Sequence, residues 1–353
     1  MMEEIYLNDD EVKDNLFPFS ITRSVADIRV GILTIREKWE LLLNQRIQLS
    51  DNKNLTTASA TIFAANIIPS RKFINSLVNG SKDFSKDPDW QAVRIVQYPW
   101  NIFGWNDWAI REDFILLTHD RITHPIPKSV ITINPREIFI EEGAIIAHCT
   151  LNASTGPIYI GRNAEIMEGS CIRGPFALCE GATVKMGARI YGATTIGPYS
   201  IAGGEIKNSV IFGYSNKAHD GYLGDAVIGE WCNIGAGSSN SNLKNNAQPV
   251  KVWNQSSKDY IMAGLKCGLM MGDYSRCAIN TSFNTGTVVG ICSNVFGEGL
   301  TPKYIPCFTW GTKGFSNYEF EKALADIRNW KKLKGFDLTT EEITTLRNIF
   351  DHQ

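Results

Sequence analysis

Glycine is nearly missing from the front of this chain: of 353 residues, only Gly31, Gly80 and Gly104 are glycines before position 110. That excludes a glycine-rich loop there, the kind whose bare amides close around a phosphate. No uninterrupted apolar run nears the roughly 18 residues of a membrane span, and the opening MMEEIYLNDDEVKD is acidic, with no signal-peptide run. No Lys/Arg cluster stands out and the net charge is −2, which argues against nucleic acid as a partner. The eight cysteines contain no C-x-x-C pair. They read as buried thiols of a cytoplasmic protein, with neither a disulfide framework nor a metal site.

What the chain has instead is a beat. From Ile160 an apolar residue returns every sixth position through Ile166, Ile172, Leu178, Val184, Ile190, Ile196 and Ala202. Six divides evenly by the two-residue strand repeat, so each return lands on the same face. Gly161, Gly169, Gly174, Gly181, Gly187, Gly192 and Gly197 fill the gaps. This is the hexapeptide pattern of a parallel β-helix. The beat resumes at Ile228, Ile234 and Asn240, and again at Leu265, Met271, Cys277, Phe283, Val289 and Val295. Ala202 and Ile228 are 26 residues apart, which reads as two added residues bulging between them. A polar break lies across Asn245–Asp259. Residues 138–300 then make roughly nine coils and a prism about 40 Å long.

Three segments follow. Residues 1–125 read as an α/β domain, with short strands at Glu4–Leu7, Ala60–Ile68 and Ala92–Tyr98 and a helix over Ile32–Leu43. The aromatic stretch Tyr98–Trp105 reads as a packed loop or the wall of a sugar pocket. Residues 126–309 form the β-helix. Residues 310–353 hold helices at Glu319–Leu333 and after Thr339, expected to cap the open end of the prism.

The chemistry gathers at the first irregularity. There the chain reads Asn216-Lys217-Ala218-His219-Asp220-Gly221-Tyr222-Leu223-Gly224-Asp225-Ala226, then Asn233-Ile234-Gly235-Ala236-Gly237 and Asn242. This run resembles the acetyltransferase half of the bifunctional N-acetylglucosamine-1-phosphate uridyltransferase/glucosamine-1-phosphate N-acetyltransferase family, over roughly residues 138–300. The resemblance implies a left-handed β-helix and a homotrimer using acetyl-CoA. It implies that His219 is the general base for the substrate amine, an imidazole titrating near working pH, with Glu205 holding the ring. It implies that Arg189 and Lys207 bind the sugar phosphate, that Tyr222, Asn233 and Asn242 line the sugar site, and that the Ala236 amide meets the acetyl thioester. Leu243 departs from the family tyrosine. Taken alone, Arg189 and Lys207 also fit solvated charges, and Asn233 and Asn242 also fit stacked turn asparagines.

The front segment resembles a divergent nucleotidyltransferase-like domain of the same family. Its phosphate loop is replaced by Leu16-Phe17-Pro18-Phe19-Ser20-Ile21-Thr22-Arg23, where Thr22-Arg23 echo the end of the family motif. Arg23, with Arg29 and Arg36, is the candidate nucleotide-phosphate cluster, and Mg²⁺ is implied only if that domain acts on UTP or dTTP. Three functions stand open at this point. They are an amino-sugar-phosphate acetyltransferase serving UDP-N-acetylglucosamine and cell-envelope synthesis, a sugar-1-phosphate nucleotidyltransferase whose β-helix serves assembly, and a non-catalytic sugar-nucleotide scaffold.

Overall fold

The computed structural model describes residues 4–50, 60–78, 93–312 and 316–352. From Ile131 to Trp310 the chain winds into a three-sided parallel solenoid. One face is a nine-stranded sheet and the second a ten-stranded sheet whose last strand is antiparallel. The third is six-stranded, followed on by the pair Ser239–Asn240 and Ser282–Phe283. The inward residues from Ile160 to Ala202 are at most 2% exposed and share one aliphatic core. Strands of the first face, such as Ile138–Ile140, Ile158–Ile160 and Phe176–Leu178, are buried at every position, because protein covers both their sides. Those of the third face, such as Cys171–Arg173, bury only the central residue.

The irregularity between Ala202 and Ile228 is a compression, not the expected bulge. Strand register places Ile206, Ile211, Lys217, Leu223 and Ile228 inward after Ala202. The 26-residue separation is thus five sides with shortened turns rather than four sides with two residues added. A second correction concerns Leu265, which is 60% exposed and outside the beat. It follows a β-hairpin of Val250–Asn254 and Asp259–Gly264 that occupies the polar break. The hairpin clasps the front of the chain: Val250 and Val252 are fully buried, Trp253 stacks on Tyr304 at 4.5 Å, and Asn254 donates to Asn15 Oδ1 at 3.4 Å.

The front segment is an α/β unit built on the first face. Strand β1 (Glu4–Asn8) lies between β2 (Gln48–Ser50) and β3 (Ala60–Ala64), all parallel. Helix α1 (Ile35–Leu43) starts at a Thr34/Glu37 capping box, and α2 spans Arg71–Val78. The expected strand Ala60–Ile68 is split, its end Ile67–Ile68 pairing with Arg94–Ile95; Ala92 lies outside the described residues. The aromatic stretch is helical rather than a loop, forming α3 (Pro99–Gly104) and running into α4 (Asn106–Thr118). Leu7, Phe19 and Trp39 share a core with Val210, Phe212, Val227, Met270 and Val288 of the solenoid. Buried Asn106 stitches the seam, accepting from Gly31 N at 2.7 Å and donating to Ala193 O at 2.9 Å.

Helices α5 (Phe320–Leu333) and α6 (Thr340–Asp351) follow the solenoid, α6 opening on a Thr339/Glu342 capping box. They lie along the prism's flank instead of closing its end. Their dock is the corner between the first two faces, where Tyr199, Tyr214, Trp231, Tyr274 and Phe308 adopt left-handed φ values of 48° to 63°. Each such turn costs about 1–2 kcal/mol. Ring stacking at 5.4 Å (Tyr199–Tyr214) and 4.3 Å (Tyr214–Trp231) offsets part of that cost, and Phe336 packs edge-on against the ladder.

Candidate functional site

The third face is the side of the prism left open, and it collects most of the sequence-predicted site. Arg189, Glu205 and Tyr222 stand in register on successive strands. Tyr191 and Lys207 form the neighbouring column, the ammonium lying 5.7 Å from the tyrosine ring centroid. A shallow groove of ≈ 330 Å³ lined by Cys171, Arg173, Arg189 and Tyr191 continues the face toward earlier coils. Cys171 is exposed, which corrects the expectation that every thiol is buried.

His219 sits at the corner between the second and third faces. Its ring is exposed and has no hydrogen-bond partner among the described residues. Arg189 reaches toward the same loop, its Nη2 lying 3.8 Å from Asp220 Oδ1. Asn216 pairs with Asn233, so Ala236 falls on the coil directly after His219, about 4.8 Å away by strand spacing. The Ala236 amide donates to no backbone acceptor among the described residues. The corner thus carries, on consecutive coils, an imidazole and a backbone N–H that have no hydrogen-bond partner among the described residues.

Glu205 is on the face but not on the imidazole: its Oε1 accepts from Tyr191 OH at 2.7 Å. Tyr222 and Asn242 do meet, Asn242 Nδ2 donating to the phenol oxygen at 3.1 Å and to Asp225 Oδ2 at 2.5 Å. Asn208 donates to the other Asp225 oxygen at 2.7 Å. Burial, with the Asp225 charge, pushes the Tyr222 phenol up to about 12, so it stays a proton donor near neutrality. The ring folds over Gly224, where a Cβ would lie 2.1 Å from the phenol oxygen. A side chain there would push the phenol off this position. Asn233 does not join the group. It faces outward on the second sheet, where Asn216 Nδ2 donates to its Oδ1 at 3.4 Å.

The front segment spends its candidate residues on packing. Leu16, Phe19 and Ser20 are fully buried and the Phe19 ring lies 5.4 Å from Phe212. The Thr22 hydroxyl and the Arg23 guanidinium both donate to Asp273, with Glu230 3.3 Å from Arg23. Burial works against the Arg23 charge, but Asp273 and Glu230 outweigh it and hold the guanidinium above its ordinary range. Arg29 is engaged by Ile32 O and Glu37, and Arg36 pairs with Asp27 at 2.7 Å. The expected phosphate cluster is therefore an interlocked set of ion pairs. Among the described residues no three His, Cys, Asp or Glu side chains are grouped as a metal-holding cluster. No helix is long and apolar enough to cross a membrane, among the described residues.

Sequence reasoning missed Asn208, Asp225, Tyr191 and Lys217. Asp225 stood inside the quoted motif, and an acid next to the glycine of a β-helix corner was its signal. Lys217 stood in the same motif, but a uniform six-residue count steps past it as an inward position.

Fold and site together define a hexapeptide-repeat parallel β-solenoid with an α/β unit on one face, helices on another and a polar third face. Comparison with known proteins adds relatives. Residues 5–82 match the family described as sugar nucleotidyl transferase. The bifunctional protein GlmU of Methanocaldococcus jannaschii is 28% identical over 285 residues, covering 79% of this chain and 63% of that protein. The chain therefore spans less than two thirds of that relative's length. A bifunctional sugar-1-phosphate nucleotidylyltransferase/acetyltransferase of Sulfurisphaera tokodaii is 29% identical over 152 residues, covering 40% of this chain and 35% of that one. Among solved structures, a Francisella novicida UDP-N-acetylglucosamine acyltransferase aligns at 14% identity and a TM-score of 0.35, covering 65% of this chain and 79% of that one. The chain is thus similar to a bifunctional protein GlmU along 79% of its length and to a bifunctional sugar-1-phosphate nucleotidylyltransferase/acetyltransferase along 40% of it.

Proposed function

We propose that this protein transfers an acetyl group from acetyl-CoA to the amine of glucosamine-1-phosphate or a related amino sugar phosphate, in the cytoplasm, toward UDP-N-acetylglucosamine and the cell envelope. One observation carries the reading. The exposed His219 imidazole and the unengaged Ala236 amide share a corner that opens onto a face bearing Arg189, Lys207, Tyr222 and Asn242. A relative named as a bifunctional sugar-1-phosphate nucleotidylyltransferase/acetyltransferase supports it.

The cations grip the phosphate, Arg189 as a fork and Lys207 as a point charge. The Tyr222 phenol, already accepting from Asn242, directs its proton at the sugar. His219 takes a proton from the substrate ammonium, freeing the lone pair. The amine attacks the thioester carbonyl, and the Ala236 N–H stabilises the oxyanion. The C–N bond forms and the C–S bond breaks; the imidazolium passes the ammonium's first proton to the leaving thiolate, and the second, on the nitrogen of the tetrahedral intermediate, goes to the freed imidazole and on to water, leaving the amide, the thiol and one released proton. Glu205, bonded to Tyr191, sets the shape of the face rather than the imidazole tautomer. Asn233, one face round the prism, reaches such a site only from a neighbouring copy. Exposed Met186 and Ile279, 67% and 68% accessible on the same corner, are suited to that contact, in keeping with a trimer.

The test is thiol release with acetyl-CoA and glucosamine-1-phosphate, which His219→Ala lowers by about 10²–10⁴-fold. No thiol release from the wild type with any amino sugar phosphate sinks the proposal. The match over residues 5–82 favours a second reading, nucleotidyl transfer from UTP or dTTP. It predicts pyrophosphate release with Mg²⁺ that His219→Ala leaves intact. The buried Leu16–Ser20 stretch and the paired Arg23 count against it.

A further inference from the structure

The prism holds a lysine where its other coils hold hydrocarbon. Lys217 points inward in the column that reads Ile146, Ile166, Val184, Ala202, Lys217, Ile234, Cys277 and Val295, and it is 2% exposed. Ala202 on the coil beneath leaves the space for its stem. A leucine or methionine would fill that space without burying a charge, so packing does not account for the amine.

Its acceptors do. Lys217 Nζ donates to Gly203 O at 3.1 Å and to His219 O. Both oxygens lie at the corner between the second and third faces, and no backbone amide of a described residue donates to either. In the preceding coil the matching carbonyl, Lys185 O, accepts from Ala188 N at 3.3 Å within a full-length turn. The next turn is two residues shorter, passing through Gly203-Gly204 straight to Glu205, and the amide that would serve Gly203 O is gone. Compression thus orphans a carbonyl beside His219, and an ammonium threaded from inside the prism serves both oxygens. The approach is close: a Cβ on Gly204 would sit 2.7 Å from His219 O. With its carbonyl clamped, the His219 peptide cannot rotate freely, and the direction in which the imidazole leaves the corner is fixed.

We propose that Lys217 is a positioning residue for acetyl transfer, acting from the solenoid interior by clamping the His219 carbonyl across the shortened corner. The assignment rests on His219 being the proton acceptor, and its test separates the two. In Lys217→Met the stem's volume is kept and the clamp is lost. The expected result is a kcat about 10- to 100-fold lower, with KM for the amino sugar phosphate unchanged because Arg189, Lys207 and Tyr222 are untouched. Amide hydrogen exchange over residues 218–222 should speed up in the variant while the strands on either side keep their protection. Lys217→Leu serves as a second apolar replacement should the methionine variant fail to fold. Wild-type kcat in a folded variant, or unchanged exchange at 218–222, overturns the proposal. If the wild type itself transfers no acetyl group, the exchange measurement still decides the clamp, and only the functional reading fails.

Discussion

Arg23→Ala separates two roles for one side chain. The sequence motif makes Arg23 a ligand for nucleotide phosphate, whereas the structure seals it against the solenoid. The guanidinium is 11% exposed and its partner Asp273 is 1% exposed. Removing the arginine leaves the Asp273 carboxylate buried with only neutral donors, the Thr22 hydroxyl and the Glu230 amide at 2.7 Å. Breaking a buried pair from one side costs about 3–5 kcal/mol, most of it the uncompensated charge. Replacing both members with apolar groups, as in Arg23→Met with Asp273→Leu, should recover most of that loss. Urea unfolding of the wild type, the single variant and the double variant measures the three stabilities. Titration calorimetry with UTP should show the same heat for wild type and Arg23→Ala. A stability loss below about 0.5 kcal/mol, together with UTP binding abolished by the substitution, would refute the reasoning and return Arg23 to the nucleotide.

Three further outcomes follow from the geometry. Tyr222→Phe removes one hydroxyl between Asn242 and the substrate, and kcat/KM should fall about tenfold with the thermal midpoint unchanged. Burial lowers the Lys217 amine to about 8 from its ordinary 10.5, so between those values the unfolded chain binds more protons than the folded one. Stability therefore rises with pH from about 8 upward, by at most about 3 kcal/mol, and Lys217→Met should abolish the rise in urea midpoints measured at pH 7.5 and 10. Cys171 is the one exposed thiol of eight, and it lies in register beside Arg189. Maleimide should label it first in the native protein, as peptide mapping will show, and the amino sugar phosphate should slow that labelling; equal labelling with and without substrate counts against the third face as the sugar site.

Much of the site was legible because its spacing is local. Glu205, Lys207, His219, Tyr222 and Asn242 come from consecutive coils, and a regular solenoid converts sequence offset directly into position on a face. Glu205 shows where that ends: offset places it on the face but does not tell whether its carboxylate meets His219 or Tyr191. Asn233 shows it again, since a few residues carry it round a corner to a different sheet. Turn length decides the corner, and a turn can lose two residues without disturbing the alternation on either side.

By itself the sequence determined the solenoid, because an even period returns each apolar side chain to one face whatever else the chain does. The helix start at Thr339 belongs to the same group, a cap being decided within four residues, whereas the front helix opens at Ile35 behind its Thr34 cap, three residues past the Ile32 start that its apolar face suggests. Only the tertiary structure decided the rest. The aromatic stretch became helices against the first face, α5 and α6 took the flank instead of the end, and Arg23 became a tie to the solenoid while Arg29 and Arg36 paired inside the front segment. Those outcomes depend on partners distant in sequence, 250 residues apart between Arg23 and Asp273, and no periodicity within a segment records which distant charge or ring it will meet.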